Sequence, residues 1–369
     1  MSLTLVAVSL AAMAGVGAIA VDLGMLYKAR ADALRAAEAA ALAGASAFLD
    51  YDPDPSSRAP IAEARARQLA QANEVLNSPV QASEVEVGVD PTPGVERVEV
   101  RIRRVGIGMW FAKVLGESSA PVGAFAAAAT TEASGANCVA PLMIPDVWGD
   151  DTEDLGTPWQ DQISQWSYGN GDTYGAFNRP GPQTGYGSDY RNAYGDYVSD
   201  YGRPITISPQ SMTNQGPGAY QLWTFQGESA EITERTAECD ARSVSLGGGP
   251  QYEVVTGETL PLGELSDRIA DDPGTRWDAG QKQMQSSSHP DWRQSPRVLK
   301  LALYDPSLYS PGQMQAGSTV EFSNIVLFFL ENVDQGAGTV TGRLLYYSAG
   351  NTDDAGAPGA LVKRVRLVE

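Results

Sequence analysis

Leu3-Thr-Leu-Val-Ala-Val-Ser-Leu-Ala-Ala-Met-Ala-Gly-Val-Gly-Ala-Ile-Ala-Val21 holds no charged residue. At about 1.5 Å of rise per residue, roughly 20 apolar residues cross the hydrocarbon of a bilayer, so a helix over this stretch is membrane-grade. Asp22 ends the uncharged run, but the helical signal continues. Leu23 to Phe48 is dominated by Ala, Leu, Glu, Lys and Arg, with no proline before Pro53. One helix over 1–48 is predicted, too long to be confined to the core of a small domain. Its apolar start, 3–21, reads as a cleaved signal peptide, a plain membrane anchor, or a helix that sits in the membrane before assembly and in an assembly core afterwards. No basic residues precede the apolar run, which weighs against the signal peptide.

Within this segment Ala7, Ala11 and Gly15, and likewise Ala14 and Ala18, recur four residues apart. Small side chains at that spacing let helix backbones approach where lipid supplies no hydrophobic drive. Asp22 is the only charge in the first 27 residues, and a carboxylate ending an apolar helix needs water or a partner. It either marks the water boundary or pairs, in an assembly, with Lys28 or Arg30 or the amino terminus of a neighbour, setting register as a single buried polar residue does in coiled coils. Lys28, Arg30 and Arg35 follow the apolar run and by the charge rule alone place the C-terminal side in the cytoplasm.

Outward from the helix, 49–131 reads as an α/β module. Ile61 to Val75 is patterned as an amphipathic helix, and Ser83–Val89 and Val95–Val105 alternate charged and apolar residues as a hairpin around Pro91-Thr-Pro-Gly94. Ile107 to Leu115 reads as a short helix around Trp110 and Phe111, and Ala120 to Thr131 as a third strand. A Thr/Ser/Gly/Asn stretch from Thr130 to Asn137 then separates this module from 132–369, where Trp, Tyr, Gly and Asp crowd the loops. Short strands are predicted there at Pro204–Ser208, Ala219–Phe225, Gln251–Val255, Arg297–Tyr304, Thr319–Glu331 and Gly338–Ser348. The expected class is α+β: a long N-terminal helix with an α/β module, followed by a mainly β domain of sandwich or jelly-roll type.

Composition narrows the partners. The 369 residues carry a net charge of −19, with 26 basic residues among 45 acidic ones, which argues against a nucleic-acid partner. The two cysteines, Cys138 and Cys239, either close a loop of about 100 residues or remain buried thiols, and an extracytoplasmic location favours the disulfide. Asp146, Asp150, Asp151, Glu153 and Asp154 offer hard oxygen ligands suited to calcium, as do Asn351, Asp353 and Asp354; both groups also read as solvated loops. Seven tyrosines fall between Tyr168 and Tyr201, and Tyr186, Tyr190, Tyr194, Tyr197 and Tyr201 make a candidate recognition surface or a wrapped glycine-rich loop. His289 is the single histidine and sits in a polar Ser286-Ser-Ser-His-Pro290 loop. Nucleophile-elbow, zinc-protease and phosphate-loop motifs are missing, so the chain reads as a non-enzyme.

The stretch Gly15-Val-Gly-Ala-Ile-Ala-Val-Asp-Leu-Gly-Met-Leu-Tyr-Lys-Ala-Arg-Ala-Asp-Ala-Leu-Arg-Ala-Ala-Glu-Ala-Ala-Ala-Leu-Ala-Gly44 resembles the N-terminus of Flp/Tad pilus-assembly proteins of the TadE/TadG type. Phe111-Ala-Lys-Val-Leu-Gly116, Ala124–Ala129, Cys138–Trp148 and Val340-Thr-Gly-Arg343 are similar to later parts of that family. The sequence departs from it in lacking an Asp-x-Ser-x-Ser motif and the basic residues and glycine that commonly precede the apolar helix. The resemblance implies that the helix and its α/β module are pilin-like, and that the chain is a filament subunit, minor pilin or assembly factor that self-associates or joins other pilus subunits. Its bulk would lie outside the cytoplasmic membrane, and at the cell surface or in a filament after assembly, against the charge rule. The rival readings are a membrane-anchored surface adhesin or glycan- or protein-binding module, and, behind it, a carboxylate-based hydrolase.

Overall fold

Helix α1 runs unbroken from Ser2 to Ala45 in the computed structural model. The structure describes residues 2–49, 55–92, 96–145, 148–149, 173–174, 201–202, 204–209, 218–246, 251–289, 291–304, 309, 314–345, 348–350 and 361–368. The chain divides into two units, one built from Met1–Asp50, Ser56–Thr130 and Val365–Glu369, the other from Tyr51–Pro55 and Thr131–Arg364.

In the first unit the second half of α1 lies on three strands of a five-stranded sheet, β1 (Val85–Asp90), β2 (Arg97–Gly108) and β3 (Ser119–Glu132), paired antiparallel in the order β3-β2-β1. Ala29, Ala33, Ala36, Ala37, Ala40, Ala41 and Ala45 are fully or almost fully buried at helical spacing, and Val98, Val100 and Ile102 meet the same core from alternate positions of β2. Helix α2 (Pro55–Gln71) adds Ala62, Ala66 and Ala70. These small residues let the backbones close on one another. Gly44 marks the tightest approach, where a Cβ would lie 2.8 Å from Val98 Cγ1 and 3.1 Å from both the Ala62 carbonyl oxygen and the Ala66 methyl. Thus the Ala-rich composition that signals helix propensity also forms the packing surface.

The predicted helix over 107–115 forms only in its last four residues, and its first two belong to a strand. β2 continues to Gly108, pairing with Ser119, after a register shift between Arg104 and Ile107 that accommodates Gly106 at φ 76°. Only Ala112–Leu115 coils, as a single 3₁₀ turn, and Gly116 at φ 98° ends it.

The second unit is mainly β. Its strands are β4 (Val139–Pro145), β5 (Pro204–Pro209), β6 (Ala219–Phe225), β7 (Tyr252–Val255), β8 (Val298–Tyr304), β9 (Thr319–Val320), β10 (Phe322–Asp334) and β11 (Thr339–Leu345). They form one sheet ordered β5-β11-β10-β8-β4-β6-β7-β9. In place of the two facing sheets of a sandwich, this sheet curls until β5 pairs in parallel with the start of β6, so six strands close into a ring. Gly218 permits the closure: it sits at φ 76°, and a Cβ there would lie 2.2 Å from the Thr206 carbonyl oxygen. Alternate residues feed two cores. Leu142, Ile144, Leu222, Leu301 and Leu303 face one, while Met143, Trp223, Ala302 and Tyr304 face the other. The sequence reading assigned no strand to β4, although it lies between β6 and β8 with every residue buried. Pro141 cannot donate to a ladder, and its pairing with β8 shifts register between Lys300 and Ala302, which spans the proline. The longest of the remaining described elements are helices α3 (Ile232–Ala237) and α4 (Leu262–Asp271) and the last strand, β12 (Val362–Val368).

Candidate functional site

The first third of α1 differs from the rest of the helix. Val6, Met13, Val16, Ile19, Val21 and Leu23 are exposed, Met13 at 72% and Val16 at 70%. A Cβ added at Gly15, Gly17 or Gly24 would meet nothing within 4 Å, in contrast to Gly44. Gly15 is exposed and Ala18 half-buried, while the side chains of Ala7, Ala11 and Ala14 lie outside the described ones. Among the described residues, every exposed large hydrophobic side chain belongs to the first unit, which makes that unit the candidate for an apolar partner. Among the described residues no helix is long and apolar enough to cross a membrane, so the expected transmembrane helix finds no support there; many side chains of the apolar stretch fall outside that description.

Asp22 is 3% exposed. Its Oδ1 accepts the Trp110 amide at 2.8 Å, and its Oδ2 accepts the Phe111 and Ala112 amides at 2.9 and 2.7 Å. Those amides open the 3₁₀ turn and have no partners along it, so the carboxylate satisfies them from α1. Burial works to raise the Asp22 pKa, but the bonds from Ala112, Trp110 and Phe111 outweigh it and hold the carboxyl below its ordinary value. The sequence reading placed Asp22 either at the water boundary or in a pair with Lys28, Arg30 or the amino terminus of a neighbour. Within the chain Asp22 has three backbone donors, Lys28 bonds Asp32 at 2.8 Å, and Arg30 is on the surface. Asp32 also accepts the Leu76 amide at 3.2 Å and pairs with Arg35.

Arg30 and Leu34 of α1 face Arg101–Arg103 of β2 and Pro121–Phe125 of β3 across an open groove of about 610 Å³. A smaller groove of about 290 Å³ runs along Leu23, Leu26 and Tyr27 and shares Arg30 and Pro121–Gly123 with the first. The Arg101 guanidinium lies 5.2 Å from the Phe125 ring centre. The grooves are therefore apolar in floor and basic at the rim. The exposed pair Trp110–Phe111 escaped the sequence reading as a surface feature. The available signal was an apolar Met109-Trp-Phe111 at a strand connection, where polar residues are the rule.

The remaining sequence candidates scatter. Cys138 and Cys239 are bonded, with Cα atoms 4.5 Å apart, and the Cys138 amide donates to the Asp240 carbonyl at 2.8 Å. Tyr201 is buried in edge contact with Trp277, centroids 5.4 Å apart, so it is part of a core and not of an open surface. Tyr186, Tyr190, Tyr194 and Tyr197 lie outside the described residues, as do Asp146, Asp150, Asp151, Glu153, Asp154, Asn351, Asp353 and Asp354. Among the described residues no group of three or more His, Cys, Asp or Glu side chains is placed to hold a metal ion. Among the described residues one carboxylate–hydroxyl cluster ties loop to strand. Buried Asp272 accepts from Ser295 Oγ at 2.6 Å, from Ser288 Oγ at 3.1 Å and from Thr275 Oγ1, tying the loop after α4 to the start of β8.

Comparison with family models, with curated proteins and with solved structures finds no match.

Proposed function

We propose that this chain is a structural protein of the cell envelope, of the Tad/Flp pilus-assembly type. The apolar start of α1 inserts in the cytoplasmic membrane before assembly and packs among like helices afterwards, and the β unit is displayed outside. One observation carries the reading: the helix is a core element from Ala29 onward, whereas Val6, Met13, Val16, Ile19 and Val21 near its start are exposed apolar side chains. An apolar helix surface of that extent needs a bilayer or a bundle to cover it. The glycines divide the same way. Gly44 is required by contacts within the chain, whereas Gly15, Gly17 and Gly24 are free of them and suit close approach by another helix. The Cys138–Cys239 bond fits an oxidising compartment and supports placing the second unit outside the cytoplasmic membrane.

Fractionation followed by electron microscopy tests this. The native chain should sediment with membranes, require detergent for extraction, and enter fibres or multimeric assemblies when detergent is removed. Recovery as a monodisperse monomer from the soluble fraction without detergent would overturn the proposal.

A further inference from the structure

We infer that the turn bearing Trp110 and Phe111 is a membrane-interface anchor, docking on the polar boundary of a lipid bilayer at the level where the apolar stretch of α1 ends. This rests on the reading that Leu3–Val21 inserts in a membrane. The turn's height is fixed by geometry. Asp22 is the first residue after the apolar stretch, and its carboxylate holds the backbone amides of Trp110, Phe111 and Ala112 within 2.9 Å. The turn therefore cannot slide along the helix without breaking three charge-assisted hydrogen bonds.

The side chains at that level have the chemistry of the headgroup zone. Trp110 is 74% exposed and Phe111 45%, and Tyr27, 67% exposed, stands five residues beyond Asp22 on the helix, about 7.5 Å along its axis. Trp and Tyr have an apolar body and a polar tip, and they concentrate where hydrocarbon meets water. Arg30 and Lys113 are exposed in the same region, with stems long enough to lie on apolar surface while their charges reach lipid phosphates. Continuity identifies the occupant: a bilayer that covers Met13, Val16 and Ile19 on α1 ends at Asp22, so the same lipid surface meets the aromatic turn.

Trp110 is the sole tryptophan before residue 148, so the difference between wild-type and Trp110→Phe emission isolates its signal, and the phenylalanine keeps an aromatic anchor. The full chain is reconstituted into phosphatidylcholine/phosphatidylglycerol vesicles whose acyl chains carry bromine either near the headgroup or near the chain ends. The expected result is that the chain floats with the vesicles and that shallow bromines quench the difference signal more than deep ones. Asp22→Ala should still float but lose the preferential shallow quenching, because the turn is released. If the chain floats and neither lipid quenches, or deep lipid quenches more, the anchor is refuted while membrane insertion stands. If the chain does not float, insertion fails and the anchor with it.

Discussion

Removing the Cys138–Cys239 bond should cost the β unit most of what the chain-entropy account assigns to it. The cysteines are 101 residues apart, and a cross-link closing a loop of that length removes about 4–5 kcal/mol of conformational freedom from the unfolded chain. The native side of the balance should change little. Cys239 is exposed and Cys138 half-buried, so a Cys138→Ala/Cys239→Ala double variant opens no sizeable cavity. The Cys138–Asp240 backbone bond and the short antiparallel pair Ala136–Val244 and Gly135–Ser245 hold the two segments together without the sulfurs. For a unit of this size each kcal/mol moves the melting temperature by about 2–4 °C, so a drop of roughly 10–20 °C is expected. Six of the seven tryptophans follow residue 130, so tryptophan emission during urea unfolding reports mainly on the second unit. The midpoint should fall and the slope should rise, because an uncross-linked unfolded chain exposes more surface. Reduced wild type should match the double variant. An unchanged midpoint and slope would refute the reasoning.

Two further outcomes follow from buried contacts. Burial alone would raise the Asp272 carboxyl, but the bonds from Ser295, Thr275 and Ser288 hold it at about 2 against an ordinary 3.8. Because the folded value is the lower one, the stabilisation is complete above pH 3.8 and lost as pH falls towards 2. It amounts to about 2 kcal/mol at most, less where solvent screens the group. Asp272→Asn should flatten the stability profile between pH 4 and 2, and acid titration of both proteins by circular dichroism checks this; equal slopes would sink it. Gly44→Ala and Gly24→Ala should differ in sign. Alanine gains up to about 1 kcal/mol of helix propensity at either site, but at position 44 its methyl meets Val98 at 2.8 Å and overpacking costs about 1–3 kcal/mol. Thermal unfolding of the full chain should therefore show Gly24→Ala neutral or stabilised and Gly44→Ala destabilised, and matching shifts would contradict the packing described for the first unit.

The sequence by itself determined those parts of the protein whose physics is local. An uninterrupted run of helix formers predicts α1, and the charged–apolar alternation of 83–105 predicts the hairpin of β1 and β2, because both periods are properties of a single backbone. β6 is predicted over Ala219–Phe225, the same residues that it occupies. Two cysteines allow one internal pairing, so the bond needed only the right compartment. Where contacts over long separations decide the outcome, the sequence falls silent. β4 has no alternation because both of its faces are buried, and a proline in its middle is a signal against a central strand, which only the register shift in its pairing accommodates. Residues 107–115 carry a helix-like pattern, but pairing with β3 draws their start into a strand. Asp22 shows the difference most directly. Its place at the end of the apolar run identified it as a charge in need of partners, but the partners lie 88 to 90 residues away on a turn with no helical period of its own. Only the folded chain brings those amides to the carboxylate, and with them the exposed aromatic pair that now stands at the end of the apolar helix.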